Sequence, residues 1–148
     1  MKTPIYLKVE KELSHPIDAV WEKVALGFGN VAEYNPALAS SHFDSEIKSG
    51  VGTRRHCNFP KKGYIKEEII EWNDKESFKL QFIESSVPIA FMESKFTFVP
   101  NEDSTLIIQE FWYRMKAPMG FLSGLMKGKM KGTLVTGLDG LEKAMKKS

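Results

Sequence analysis

Two doublets of opposite charge, Arg54-Arg55 and Glu67-Glu68, flank the turn Pro60-Lys61-Lys62-Gly63. Strands joined that closely form an antiparallel hairpin, and along each strand successive side chains point to opposite faces. One Arg and one Glu therefore share a face. If that face lines a cavity, the pair would be its polar anchor. On a solvated face the same pair is a cross-strand salt bridge worth about 0–1 kcal/mol. The single cysteine, Cys57, falls on the strand face of Arg55, whose charge favours a thiolate, although a lone strand cysteine is more often a small hydrophobe. The three histidines, His15, His42 and His56, form no His-x-x-x-His or Glu-x-x-His pair, and His56 faces away from Cys57, so no metal site is expected. There is neither a Gly-x-Ser-x-Gly elbow nor a phosphate-cradling Gly-x-x-x-x-Gly-Lys-Ser/Thr loop. No catalytic residue and no cofactor can be assigned on these grounds.

The elements that must position these groups are legible in the hydrophobic period. Ile5, Leu7, Val9 and Leu13 alternate with polar residues, which predicts a half-buried strand. Ser14 then reads as an N-cap, with Pro16 near the first turn of a helix carrying Ile17, Val20, Trp21 and Val24. Gly27 and Gly29 end that helix, and a short turn over 31–34 runs into Asn35-Pro36. Six further strands are predicted over 42–47, 53–59, 64–72, 78–84, 92–99 and 105–115, each bounded by residues that tight turns select. Their presumed inner faces carry Phe78, Leu80 and Phe82, then Met92, Phe96 and Phe98, then Ile107, Gln109, Phe111 and Tyr113. Gln109 is polar on an apolar face, and the Tyr113 hydroxyl needs a partner when buried, so either can orient a ligand.

From about 119 to 147 the period becomes helical. Met126, Met130, Leu134, Leu138, Leu141 and Met145 fall within an arc of roughly 120°. Gly137 lies inside that arc and leaves room there, whereas Gly128 and Gly132 lie outside it. So many glycines make this helix dependent on tertiary packing. A seven-stranded antiparallel sheet cannot bury its inner face alone, and this helix is the one element long enough to cover it. A twisted sheet wrapped around a single helix is hard to fill with side chains, and the remaining space is a cavity.

At 148 residues the chain suits one domain spanning its whole length. A net charge of +2 argues against nucleic acid as a partner, because such binders concentrate far more positive charge. One cysteine, no signal peptide and no apolar run of membrane-spanning length lead to the expectation of a cytoplasmic protein. Lys127, Lys129 and Lys131 near Phe121 and Leu122 add the expectation of a transient contact with a membrane surface. The oligomeric state is left open.

Several short motifs resemble the SRPBCC superfamily, the helix-grip fold shared by START lipid-binding domains, polyketide cyclases and the major birch pollen allergen. The Pro-x-x-x-Val-Trp-like opening at Pro16 to Trp21 is similar to the family's, as is the Gly-x-Gly before Tyr34-Asn35-Pro36. Gly50-Val51-Gly52-Thr53-Arg54-Arg55, Gly63-Tyr64-Ile65-Lys66-Glu67 with Asp74, and Pro88 continue the resemblance from Ile5 to Met145. It implies an α+β fold: a seven-stranded antiparallel curved sheet wrapped around a long C-terminal helix, with two short helices after the first strand. It also implies an internal cavity for a small hydrophobic or amphipathic molecule such as a lipid, quinone or polyketide. By family position Arg55 and Glu67 are the anchoring pair. Phe82, Phe96, Gln109, Phe111, Tyr113, Met126, Met130, Leu134 and Gly137 complete the expected ligand wall. Alternatives within the superfamily are a cyclase or dehydratase, with Arg55 and Glu67 or Tyr113 polarising a carbonyl, and a protein-binding regulatory module.

Overall fold

Alternation along the strands and a single apolar helix stripe dictate how the chain closes. The computed structural model describes residues 3–146. Strand β1 (Ile5–Leu13) leads into helix α1 (Ile17–Trp21), which continues as a wider π-type turn over Glu22–Leu26 and a 3-10 turn over Phe28–Glu33. Strands β2 (Ser40–Phe43), β3 (Arg54–Asn58), β4 (Tyr64–Asn73), β5 (Ser77–Ser85), β6 (Ile89–Asn101) and β7 (Ser104–Met115) follow. A 3-10 turn (Met119–Phe121), a short helix α2 (Leu122–Leu125) and the long helix α3 (Lys127–Lys146) end the described chain. The strands form one seven-stranded sheet in the order β1-β7-β6-β5-β4-β3-β2, and each adjacent pair is antiparallel. This is the helix-grip architecture.

Register shifts at Lys66/Glu67 and Ile69/Glu71 in the β4–β5 pair, and at Ile89/Phe91 in the β6–β7 pair, mark extra residues. Such bulges bend a strand and increase its twist, which curls this sheet around α3. Leu134, Leu138, Leu141 and Met145 are buried on the predicted face of α3. Lys11 on β1 ties the helix to the sheet edge, with its Nζ 2.8 Å from Asp139 and 3.2 Å from Glu142. Those hydrogen bonds raise the Lys11 pKa. Close to the other edge, Ser41 Oγ accepts the Ala32 N–H at 2.9 Å.

Three details differ from the sequence reading. The cap of α1 is Pro16, with no side-chain hydrogen bond, rather than Ser14. Its fixed φ already suits the approach to a helix. The second strand is Ser40–Phe43, not 42–47, because the chain bends at Ser45 and Glu46 and Ile47 lies exposed in the loop. The terminal segment is broken into a 3-10 turn, α2 and α3, and position 147 lies outside the described residues. Glycines at 120, 124 and 128 explain why this stretch does not hold one continuous helix. Among the described residues, no helix is long and apolar enough to cross a membrane.

One end of the interior is solid. Trp21 stacks edge-on against Trp72 (5.0 Å between centroids) and Phe98 (5.2 Å), and Phe78 lies 6.1 Å away. Edge-to-face rings at these separations fill volume well and add about 0.5–1.5 kcal/mol per pair beyond area burial. Further along, between the sheet and α3, the core of buried side chains leaves an unfilled space.

Candidate functional site

The unfilled space is a cavity of about 640 Å³. Pockets for small organic ligands run from roughly 300 to 1,000 Å³. Its wall is mostly apolar: Phe78 and Leu80 from β5, Met92 and Phe96 from β6, Phe111 from β7, and Met130, Leu134 and Leu138 from α3. Towards solvent it is bordered by Pro60 in the β3–β4 turn, Lys129 and Thr133 on α3, and Val87 before β6. Pro60, Lys129 and Thr133 are exposed, so this side is the mouth.

Strand register decides which charges enter. Arg55 pairs with Glu67 and Arg54 with Glu68 across the β3–β4 hairpin. Position 55 falls on the inner face and 54 on the outer one. Arg54 and Glu68 form a loose contact of 3.6 Å with Arg54 exposed. Arg55 and Glu67 are both buried, and Arg55 Nε donates to Glu67 Oε1 at 2.7 Å. Arg55 Nη1 donates to the Phe28 carbonyl at 3.1 Å, and the guanidinium lies 4.0 Å over the Phe28 ring. Burial, the largest single influence, would lower the Arg55 pKa, but the charge and hydrogen bond of Glu67, together with Cys57 and Tyr34, outweigh it and the pKa is raised. The guanidinium therefore stays charged, at the border of the cavity.

Tyr34 joins this polar end. It borders the cavity, and its electrostatic neighbours are Arg55, Cys57 and Glu67. Burial pushes its phenol up to about 12, despite the partial exposure that its place beside the hollow gives it. Cys57 also lines the cavity, but burial pushes its thiol to about 12 and overrides the opposing effect of Arg55. Burial thus favours the protonated thiol, in line with a small hydrophobe on a strand. Iodoacetamide at pH 8 should modify Cys57 on the order of a thousandfold more slowly than an ordinary surface thiol, because only the thiolate attacks. Rapid labelling followed by mass spectrometry would refute this.

A second polar spot sits across the wall. Gln109 on β7 and Ser94 on β6 are both buried, and Gln109 Nε2 donates to Ser94 Oγ at 3.1 Å. Of the residues expected at the ligand wall, Arg55, Glu67, Phe96, Gln109, Phe111, Met130, Leu134 and Gly137 border the cavity, and Phe82, Tyr113 and Met126 do not. Phe82 stands at the β-bulge of β5 and packs against the core beside the hollow. Tyr113 spends its hydroxyl on the Ser123 carbonyl at 2.5 Å, while Ser123 Oγ accepts the Met115 N–H at 3.0 Å. It latches the α2 segment to β7 instead of facing a ligand. Met126 falls in the break between α2 and α3, where the helical spacing is interrupted. The Cβ position of Gly137 approaches Asn35 Nδ2 at 3.1 Å, so its missing side chain makes room chiefly for that amide.

Sequence reasoning missed Tyr34, which lies in an aperiodic turn. It also missed Ser94, although Met92, Ser94 and Phe96 share one face by alternation.

Known structures share this architecture. XoxI from Bacillus cereus superposes with a TM-score of 0.77 at 18% identity, covering 94% of each chain. A START superfamily protein from Mycobacterium smegmatis gives 0.77 at 14% identity, covering 95% of this chain and 98% of its own. Norcoclaurine synthase from Thalictrum flavum, in complex with dopamine and hydroxybenzaldehyde, gives 0.73 at 20% identity, covering 97% and 87%. At these identities the likeness establishes the fold alone. No curated protein matches the chain. The family pattern described as polyketide cyclase / dehydrase and lipid transport runs through residues 5–146, from β1 to the last turn of α3, and this chain belongs to that family.

Proposed function

We propose that the protein binds a small hydrophobic or amphipathic molecule in the chamber between the sheet and α3. The observation that carries this reading is the cavity itself: about 640 Å³ with an apolar wall, a mouth, and buried polar groups at fixed points. Each methylene moved from water into such a wall contributes about 0.8 kcal/mol. Arg55 with Glu67, and Tyr34 beside them, set the orientation of a polar head. The family's printed description, which joins cyclase and lipid-transport proteins, is consistent with either binding or turnover. Plain binding is the simpler reading, because Arg55 and Glu67 are already paired with each other and burial favours the protonated Cys57 thiol.

The test is thermal unfolding against lipids, quinones and aromatic polyketides, together with native mass spectrometry of the purified protein. A raised midpoint or a bound mass is expected, and both should diminish in Gly137→Leu. If nothing shifts the midpoint and no mass is carried, the reading fails. Conversion of any added compound, lost in Glu67→Gln while the fold persists, would establish the enzymatic alternative.

Loading takes place at an anionic membrane surface. Between Glu110 and Asp139 the chain has no acidic residue, whereas Arg114, Lys116, Lys127, Lys129 and Lys131 are basic. Phe121 (66% exposed) and Leu125 (79%) project from the same segment, which leads into the α3 turn that carries Lys129 at the mouth. Lysines near an anionic leaflet are worth about 1 kcal/mol each. The protein should therefore sediment with phosphatidylglycerol vesicles and not with pure phosphatidylcholine. Changing Lys127, Lys129 and Lys131 to Glu should lower vesicle affinity about a hundredfold, and salt should weaken it too. Equal sedimentation with both vesicle types would refute this route.

A further inference from the structure

We propose that the ligand is polar at both ends, with an oxygen function held at the Arg55–Glu67 pair and a second one held at Ser94 and Gln109. This rests on the cavity-binding reading and specifies the class of molecule that fits it.

The two polar spots differ in kind. Arg55–Glu67 is an ion pair on β3 and β4, close to the Phe28 turn. Ser94 and Gln109 are neutral, lie on β6 and β7, and are 2% and 8% exposed in a wall that is otherwise apolar. Their mutual hydrogen bond uses one amide N–H of Gln109 and an acceptor site of Ser94. Among the described residues no partner is found for the Gln109 carbonyl oxygen or for the Ser94 hydroxyl hydrogen. These atoms open onto the cavity, since the one fully enclosed side-chain polar atom without a partner among the described residues is Trp21 Nε1. A ligand oxygen can accept from Ser94, and a ligand hydroxyl can donate to Gln109.

Their spacing follows from the register. Glu67 is opposite Phe82 on β5, and Leu80, two residues away on β5, is opposite Ser94. Two strand-to-strand steps and two residues of rise separate the Glu67 and Ser94 backbones by roughly 12 Å. Leu80, on the strand between them, borders the cavity there, and Phe78 and Phe96 line it on the next rung. The occupant thus has an apolar body bridging two hydrogen-bonding ends, as in a long-chain diol, a hydroxy acid or a fused-ring compound oxygenated at opposite ends. A simple fatty chain with one polar head leaves one of the two spots unmet.

Decanol and decanediol, hydroxylated at one end and at both ends respectively, separate the possibilities by isothermal titration calorimetry. In water the second hydroxyl favours the free state, so a plain greasy pocket prefers decanol. With two polar subsites, decanediol binds about tenfold more tightly, the equivalent of one well-made hydrogen bond. In Gln109→Met the preference should invert, decanol then binding more tightly than decanediol. Ser94→Ala, the milder change, should give an intermediate loss, and unfolding midpoints confirm that both variants fold. Decanol binding as tightly as decanediol in the unaltered protein overturns the two-ended assignment and leaves the cavity reading standing. Binding of neither overturns both.

Discussion

Replacing Arg55 with Met is expected to destabilise the protein by about 3–5 kcal/mol, since it strands the Glu67 carboxylate in a buried site with its charge uncompensated. Glu67→Leu should have a comparable effect, because it leaves the guanidinium with only the Phe28 carbonyl and ring as partners. The double substitution should recover most of the loss, and can equal or exceed the parent, because two apolar side chains of similar volume need no desolvation. Urea unfolding at neutral pH, run as a double-mutant cycle, measures the coupling directly. Single losses below about 1 kcal/mol would mean that water entering by the mouth already solvates the pair, as at a surface. The expected pattern has a functional corollary. A pair that apolar residues can replace without loss of stability is retained for what it offers the cavity.

Gly140→Ala should lower stability by about 3 kcal/mol, although alanine is the better helix former. A Cβ at 140 would sit 2.1 Å from the Tyr34 carbonyl oxygen and 2.8 Å from Pro36 Cδ. Both belong to a backbone turn that cannot swing aside, so α3 has to lift. At Gly128 and Gly132 nothing lies within 4 Å of such a Cβ. Alanine there should raise stability by about 0.5–1 kcal/mol each. Thermal melts of the three variants therefore diverge in sign within one helix. If Gly140→Ala melted at or above the parent, the close docking of α3 on the Tyr34–Pro36 turn would be refuted. This contact also positions Tyr34, so the variant should weaken ligand binding as well as the fold.

What could be read in advance divides along physical lines. Period-two alternation marked β1, β4 and β7 well, because a sheet covered on one side imposes that pattern. The α3 stripe was legible for the same reason. Alternation is lost at a bulge, which explains the late predicted start of β6, where Ala90 is the extra residue between Ile89 and Phe91. Adjacent like charges are ambiguous by parity alone. Only the register, Arg55 opposite Glu67, decides which of each doublet turns inward. Tyr113 was correctly read as needing a partner, but a backbone carbonyl from distant Ser123 met that need, and no spacing along the chain shows such a contact. Tyr34 reaches the cavity through a turn, where no period exists to betray it.

The aromatic floor beneath the chamber has an optical consequence. Trp21 and Trp72 are locked into that floor, and Trp112 lies against Tyr6 and Lys79 away from the hollow. No tryptophan borders the chamber, whose wall is chiefly phenylalanine, methionine and aliphatic carbon with the polar groups of Tyr34, Arg55, Glu67, Ser94 and Gln109. Filling the chamber brings no guest atom against an indole, so any change in tryptophan emission on loading reports energy transfer across the Phe78 layer and not contact quenching.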